Sequence, residues 1–168
     1  GAAHGRKRAG ASAAQATLAR QLQQRQTALL ESEELRRLGM EAGRMFAFEW
    51  NVSSDEVRRS ANCGPILGLD HDAEHDTGKR YFLRVHQDDR EAFVGTMKGL
   101  TPANDRYSIE YRLCRPDGSV VTLNESARAQ FDKAGRMTRV FGMTSDVTGL
   151  KEAEARLRES EQRHRMLL

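Results

Sequence analysis

The sequence predicts an α+β fold in which a five-stranded antiparallel sheet is flanked by a helix at each end. Three observations point there: strict alternation over Arg106–Cys114, two short turns downstream of it, and a charged helix leaving the last strand. In Arg106–Cys114, Tyr107, Ile109, Tyr111 and Leu113 share one face, and Arg106, Ser108, Glu110 and Arg112 share the other. Period-two alternation of this kind marks a half-buried strand. Arg115-Pro116-Asp117-Gly118 is a turn, with proline fixing φ and glycine free to take positive φ. A second strand (Ser119–Phe131), a turn at Asp132-Lys133-Ala134-Gly135 and a third strand (Arg136–Val147) complete a meander. Asp146-Val147-Thr148 then opens a helix predicted over residues 149–168.

Upstream, Met45–Asn51 alternates and reads as the first strand, with Phe46, Phe48 and Trp50 on one face; Glu56–Ser60 is the second. A short helix is predicted over Ala61–Leu69, broken early by Gly64-Pro65, then a polar loop over Asp70–Asp76 and a weak helix over Thr77–Val85. Asp88–Leu100 is a stronger helix, with Asp88, Asp89 and Glu91 against its positive dipole end. Residues 15–42 are strong helix formers without proline, whereas residues 1–14 are small and basic and read as a flexible segment. Leu18, Leu22 and Leu29 keep coiled-coil spacing around Arg25; in the terminal helix Leu150, Ala153, Leu157 and Leu167 do so around Ser160 and His164. Polar seam positions cost stability but set register.

Several of these segments together resemble the PAS sensor domain with its C-terminal PAC motif. The residues that carry the resemblance are E-Y-R-x-x-R-P-D-G-S at Glu110–Ser119, Gly142-x-x-x-Asp146-x-Thr148, Trp50-Asn51, Ile66–Asp70 and Phe82–Arg90. They cover roughly Met40 to Thr148, so the domain is expected over residues 43–148; Gln87 stands where the family usually has proline. The resemblance implies short helices on one face of the sheet, enclosing a pocket. It also implies a sensory or dimerisation module of a larger bacterial protein, of the histidine kinase or cyclic-di-GMP type. Glu31–Arg36 is similar to Glu159–His164, an E-S-E tract that in the family precedes a PAS domain, so a neighbouring PAS domain is expected beyond the chain.

Composition narrows the function. A chain of 168 residues suffices for one core, and 38% hydrophobic residues with a mean hydropathy of −0.70 fit a domain diluted by polar helices. Cys63 and Cys114 lack zinc or redox spacing and fit a reducing cytoplasm. The basic run Arg6-Lys7-Arg8 has no aromatic platform beside it, which argues against nucleic acid. It reads instead as the cytoplasmic side of a membrane segment absent from this sequence. A homodimer is expected, with the flanking helices linking the domain to output domains of the same protein.

The chemistry-bearing residues reduce to a pocket and a junction. Asn62-Cys63 resembles the flavin-adduct pair of light sensors but lies one helix too early, so Cys63 is expected in the core. His71–Asp76 crowds ligand-type side chains without metalloprotease order and is expected to be a solvated loop. His86 precedes the long helix, which suits capping better than haem ligation. With no nucleophile–base pair, phosphate loop or kinase motif, the chain is not expected to be an enzyme; catalysis is left to other domains. Family geometry would line the pocket with Phe48, Trp50, Phe93, Met97, Ile109, Tyr111, Leu123, Phe141 and Met143. Thr122, where many relatives carry an aromatic, is expected to alter space or polarity nearby. No cofactor is required, although Phe48 and Trp50 would suit a flavin ring. Asp146 and Thr148 are expected to couple sheet to helix, with Thr148 as the helix cap. The alternatives to a sensor are a ligand-free dimerisation spacer, for which a filled core suffices, and a flavin-binding redox sensor.

Overall fold

A computed structural model describes residues 2–167, with side chains from Arg6 onward. Gly1 of the expected flexible segment and Leu168 of the expected terminal helix lie outside the described residues. The chain divides into two compact units, one ending at Gly39 and the other beginning at Met40. The first is helical: α1 runs Ala2–Ala42, starting well before residue 15. Its early turns are rich in alanine, the strongest helix former, which carries the helix through Gly10. Leu18, Leu22 and Leu29 are exposed along it.

The second unit is a six-stranded antiparallel sheet in the order β3-β2-β1-β6-β5-β4. The strands are β1 (Met45–Asn51), β2 (Glu56–Arg59), β3 (His75–Thr77), β4 (Arg106–Cys114), β5 (Val120–Phe131) and β6 (Met137–Asp146). The sixth strand, β3, takes the end of the predicted polar loop and the first residue of the helix predicted from Thr77. It is three residues long and is defined by pairing with β2, Val57 opposite Asp76, rather than by its own composition. Helices α2 (Cys63–Leu67), α3 (Gly78–Arg84) and α4 (Arg90–Lys98) follow the predicted order, and α5 (Thr148–Met166) leaves the last strand. The first and last strands pair along their length, Met45 opposite Ser145, so the chain arrives and leaves at one corner of the sheet.

The core forms between the helices and the inward face of the sheet. Phe46, Cys63, Leu67, Tyr111, Leu113, Val121 and Leu123 make its main cluster. Gly142 is required where β5 and β6 meet: a Cβ there would lie 2.2 Å from the Ser126 carbonyl oxygen and 2.5 Å from the Ala127 Cβ. Asp88 and Asp89 fall in a 3-10 turn, Gln87–Asp89, rather than in α4 itself.

Candidate functional site

Inside this unit lies a cavity of about 560 Å³, within the usual range for small-molecule sites. Its walls follow from alternation. β1 turns Phe46, Phe48 and Trp50 inward, β6 contributes Val140 and Thr144, and α4 covers them with Phe93, Val94 and Met97. Near the rim, Asp55 accepts from Trp50 Nε1 at 3.0 Å and from the Gly78 amide at 3.0 Å, which fixes the indole. Gly78 permits that approach, since a Cβ would sit 2.5 Å from Asp55 Oδ1.

The polar part of the wall centres on Glu125 of β5, only 4% exposed. Tyr107 donates to its Oε1 at 2.6 Å, Tyr111 to its Oε2 at 2.7 Å, and Thr144 to Oε2 at 3.3 Å. The first two lengths are those of hydroxyls on a carboxylate. Tyr81 and Tyr111 oxygens lie 2.6 Å apart; with the Tyr111 proton directed at Glu125, Tyr81 is the donor. Burial pushes the Glu125 carboxyl above its ordinary range, and the three hydroxyls and Arg59 only partly offset this. Burial, then the Glu125 charge, raises Tyr81, Tyr107 and Tyr111 too, so all three remain donors. Beside them Arg59, buried against the Tyr81 ring at 4.9 Å, donates to Asp76 at 2.9 Å and to the Ala73 carbonyl at 3.0 Å. Arg84 binds the same Asp76 carboxylate.

Of the residues expected to line the pocket, Phe48, Trp50, Phe93 and Met97 do so. Ile109, Tyr111 and Leu123 belong to the adjoining core instead, Tyr111 edge-on to Phe93 with ring centres 4.9 Å apart. Phe141 and Met143 need correction, because register turns them to the opposite face, opposite Arg128 and Ser126. Both alternating sets of β6 contain apolar residues, so its inward parity was not fixed by composition. Thr122 also sits on that outer face, away from the cavity. The sequence reading did not single out Glu125, whose signal was its register with Val121, Leu123, Ala127 and Ala129. Tyr81, Tyr107, Thr144 and Arg59 were missed as well.

The second arrangement is the corner where β1 and β6 meet. The Asp146 side chain, 6% exposed, accepts from Arg44 Nη2 at 2.7 Å and from the Thr148 amide at 3.0 Å. The Asp146 amide donates to the Arg44 carbonyl at 2.8 Å. Burial opposes ionisation of Asp146, but hydrogen bonds to its carboxylate from the Thr148 side chain, Arg44 and the Thr148 amide outweigh it and hold the carboxyl below its ordinary range. Asp146 therefore satisfies the first amide of α5, whose N-cap position is Val147. Thr148, expected as the cap, is already its first residue, and its hydroxyl accepts from the Thr122 amide at 2.9 Å.

The family model described as PAS fold matches residues 56–144, just over half of the chain. The chain belongs to the PAS family. The two-component sensor PprA of Pseudomonas aeruginosa is 32% identical over 109 residues, 65% of this chain and 12% of that protein, so the PAS domain corresponds to a small part of it. The fold is that of a sensory box histidine kinase/response regulator from Burkholderia thailandensis (24% identity, TM-score 0.64, covering 77% of this chain and 97% of that one). It is also that of the N-terminal domain of a diguanylate cyclase with PAS/PAC sensor from Marinobacter aquaeolei (16% identity, TM-score 0.54, covering 62% and 95%). These three relatives are signalling proteins that carry a sensor, and PAS domains are typically non-catalytic. Cys63 lies in the PAS core, fully buried. His86 accepts from the Asp88 amide through Nδ1 at 3.2 Å, capping the 3-10 turn. Asp76 of the ligand-rich stretch turns inward to Arg59, while His71 and His75 are exposed. Among the described residues, no helix is long and apolar enough to cross a membrane.

Proposed function

We propose that this PAS domain is the cue-sensing part of a larger bacterial signalling protein of the histidine kinase or cyclic-di-GMP type. A small molecule in the cavity biases the sheet between two arrangements, and the flanking helices carry that bias through a homodimer to output domains, where catalysis resides. One observation carries this reading. Thr144, which donates to Glu125 on the cavity wall, and Asp146, which holds Arg44 and the first amide of α5, are two residues apart on β6. A ligand that alters the Glu125 hydrogen bonds acts on the strand that aims the exit helix, and differential affinity for two arrangements is what coupling requires.

Native mass spectrometry of the purified chain tests it by reading bound mass and oligomeric state together. A dimer retaining a defined small molecule is the expected result. A bare dimer whose α5 amides exchange hydrogen identically across a panel of candidate cues would overturn sensing and leave the spacer. Retained flavin, stacked on Phe48 and Trp50, would make the cue redox state.

A further inference from the structure

The hydrogen-bond directions around Glu125 leave a specific chemical demand on whatever fills the cavity. Tyr107, Tyr111 and Thr144 each point their single hydroxyl proton at the carboxylate, and Tyr81 points its own at Tyr111. Every donor of the network is thus committed. What the network still offers is acceptor capacity: a second site on Glu125 Oε1 and the lone pairs of Tyr107, Tyr81 and Thr144, all of which line the cavity. Arg59, the other buried charge on this wall, already donates to Asp76 and the Ala73 carbonyl and lies against the Tyr81 ring. The hydrogen-bond partners of Glu125 are neutral hydroxyls, and the Arg59 cation acts on it only through space while donating to Asp76, so among the described residues no cation is hydrogen-bonded to its charge. A buried carboxylate in that condition gains most from a positively charged donor.

The rest of the wall agrees with this demand. Phe48, Trp50 and Phe93 present aromatic surface, which packs against an aromatic body and attracts a cation to its faces. Lys79 and Lys98 also border the cavity, but both are exposed at its rim, where solvent screens them from the buried carboxylate.

We propose that the cavity takes a small organic cation, a protonated amine on an aromatic or apolar body, with its ammonium group seated on Glu125, Tyr107 and Thr144. The inference rests on the sensory reading above and specifies its cue.

Trp50 is the only tryptophan of the chain and lines the cavity, so its emission reports occupancy directly. The probes are phenethylamine, phenethyl alcohol and hydrocinnamate, which keep one aromatic body and vary the head from cation to neutral donor to anion. Phenethylamine is expected to bind tightest, at least about tenfold ahead of the alcohol, with hydrocinnamate weakest. Glu125→Gln is expected to weaken the amine at least about tenfold while leaving the alcohol within about twofold. If that variant does not fold, the order on the unaltered chain decides alone. Hydrocinnamate or the alcohol matching the amine would overturn the assignment, as would an amine that fails to saturate at millimolar concentration. Each of these outcomes leaves the sensory reading to retained-ligand mass spectrometry, which reads a ligand of any charge.

Discussion

Glu125 and Asp146 are both carboxylates with almost no exposure, and they lie on neighbouring strands, yet their environments drive them in opposite directions. Glu125 is surrounded by hydroxyls, which stabilise a charge through dipoles, and burial wins: its pKa rises. Asp146 faces burial as well, but the Thr148 side chain, a guanidinium and an amide all donate to it, and its pKa falls. The difference divides the domain by task. The junction is clamped in one protonation state through the neutral range. The cavity wall holds a charge whose stability depends on what sits beside it. A sensing surface should be responsive and a lever should be stiff, and the partner sets around these two residues supply each property.

Asp76 extends the comparison to a carboxylate with two guanidinium partners, and there the largest effect is expected. Both Arg59 and Asp76 are nearly inaccessible, with side chains 2% and 3% exposed. Asp76→Ala should strand Arg59 as an uncompensated buried charge and cost about 3–5 kcal/mol in urea unfolding. A loss below about 1 kcal/mol would mean that water reaches Arg59 and that this wall is not dry. Asp146→Ala ranks next, at about 1–2 kcal/mol, mostly from the lost hydrogen bond to the Thr148 amide. Arg44 is 60% exposed, so screening limits the share of its ion pair. The sign with pH follows from a folded pKa below the unfolded value of about 3.9. The Asp146 contribution is full above that value and disappears as pH falls through the folded one. The variant and the parent should therefore converge at low pH. In the full-length protein, unchanged signal output from Asp146→Ala would detach this corner from coupling.

How much of this was legible in the sequence differs between the two regions. The meander was readable because Tyr107, Ile109, Tyr111 and Leu113 alternate with charged residues, a pattern that only one parity can bury. β6 lacked that contrast: Val140, Gly142 and Thr144 compete with Phe141 and Met143, and only its pairing with β1 and β5 decides which set faces inward. β3 was unreadable for a related reason, since His75-Asp76-Thr77 has no strand character apart from the edge of β2 that it covers. Asp146 was visible as a motif residue at a sheet–helix boundary. Its neighbour Thr148 was assigned the cap because a threonine before a helix is usually one; here the helix starts a residue earlier and β5 takes the hydroxyl. Glu125 was hidden by its chemistry. A charged residue in an inward register reads as a surface position until the two tyrosines of β4 that satisfy it are brought alongside.

Glu125→Gln should have a smaller effect on stability than either aspartate substitution. The amide keeps an oxygen for the hydroxyls and relieves a buried charge, so at neutral pH the change should stay within about 1 kcal/mol. Its signature is in the pH profile. The folded pKa lies above the unfolded value of about 4.3, so the folded state holds the proton more tightly. Stability is then greatest below the unfolded value and declines as pH rises through the folded one. Glu125→Gln should remove that decline, the reverse of what Asp146→Ala does at acid pH. The groups around Glu125 that shape the profile are Arg59 from β2, Tyr81 from α3, and Tyr107 and Tyr111 from β4. A parent and variant with parallel profiles would place the carboxylate in contact with solvent and erase the contrast with Asp146.

The smallest effect is expected from Lys151→Gln. Lys151 of α5 reaches Glu110 on the outer face of β4 at 3.0 Å, with both side chains about two-fifths exposed (43% and 40%). This ion pair ties the exit helix directly to the sheet, whereas the Arg44–Asp146 pair joins the chain before β1 to the end of β6, and it differs from that pair in having neither partner buried. Exposed pairs contribute little after screening and side-chain entropy. Lys151→Gln should leave thermal unfolding unchanged and should leave hydrogen exchange at the first turn of α5 unchanged, because Asp146 still holds the Thr148 amide. If Lys151→Gln instead loosened that turn as much as Asp146→Ala, the helix would be steered from its exposed flank, and its aim would depend on ionic strength. A salt titration of amide exchange in the parent chain distinguishes the two. Control by the buried carboxylate leaves the first turn of α5 insensitive to salt, since its hold is a hydrogen bond to a backbone amide shielded from counterions.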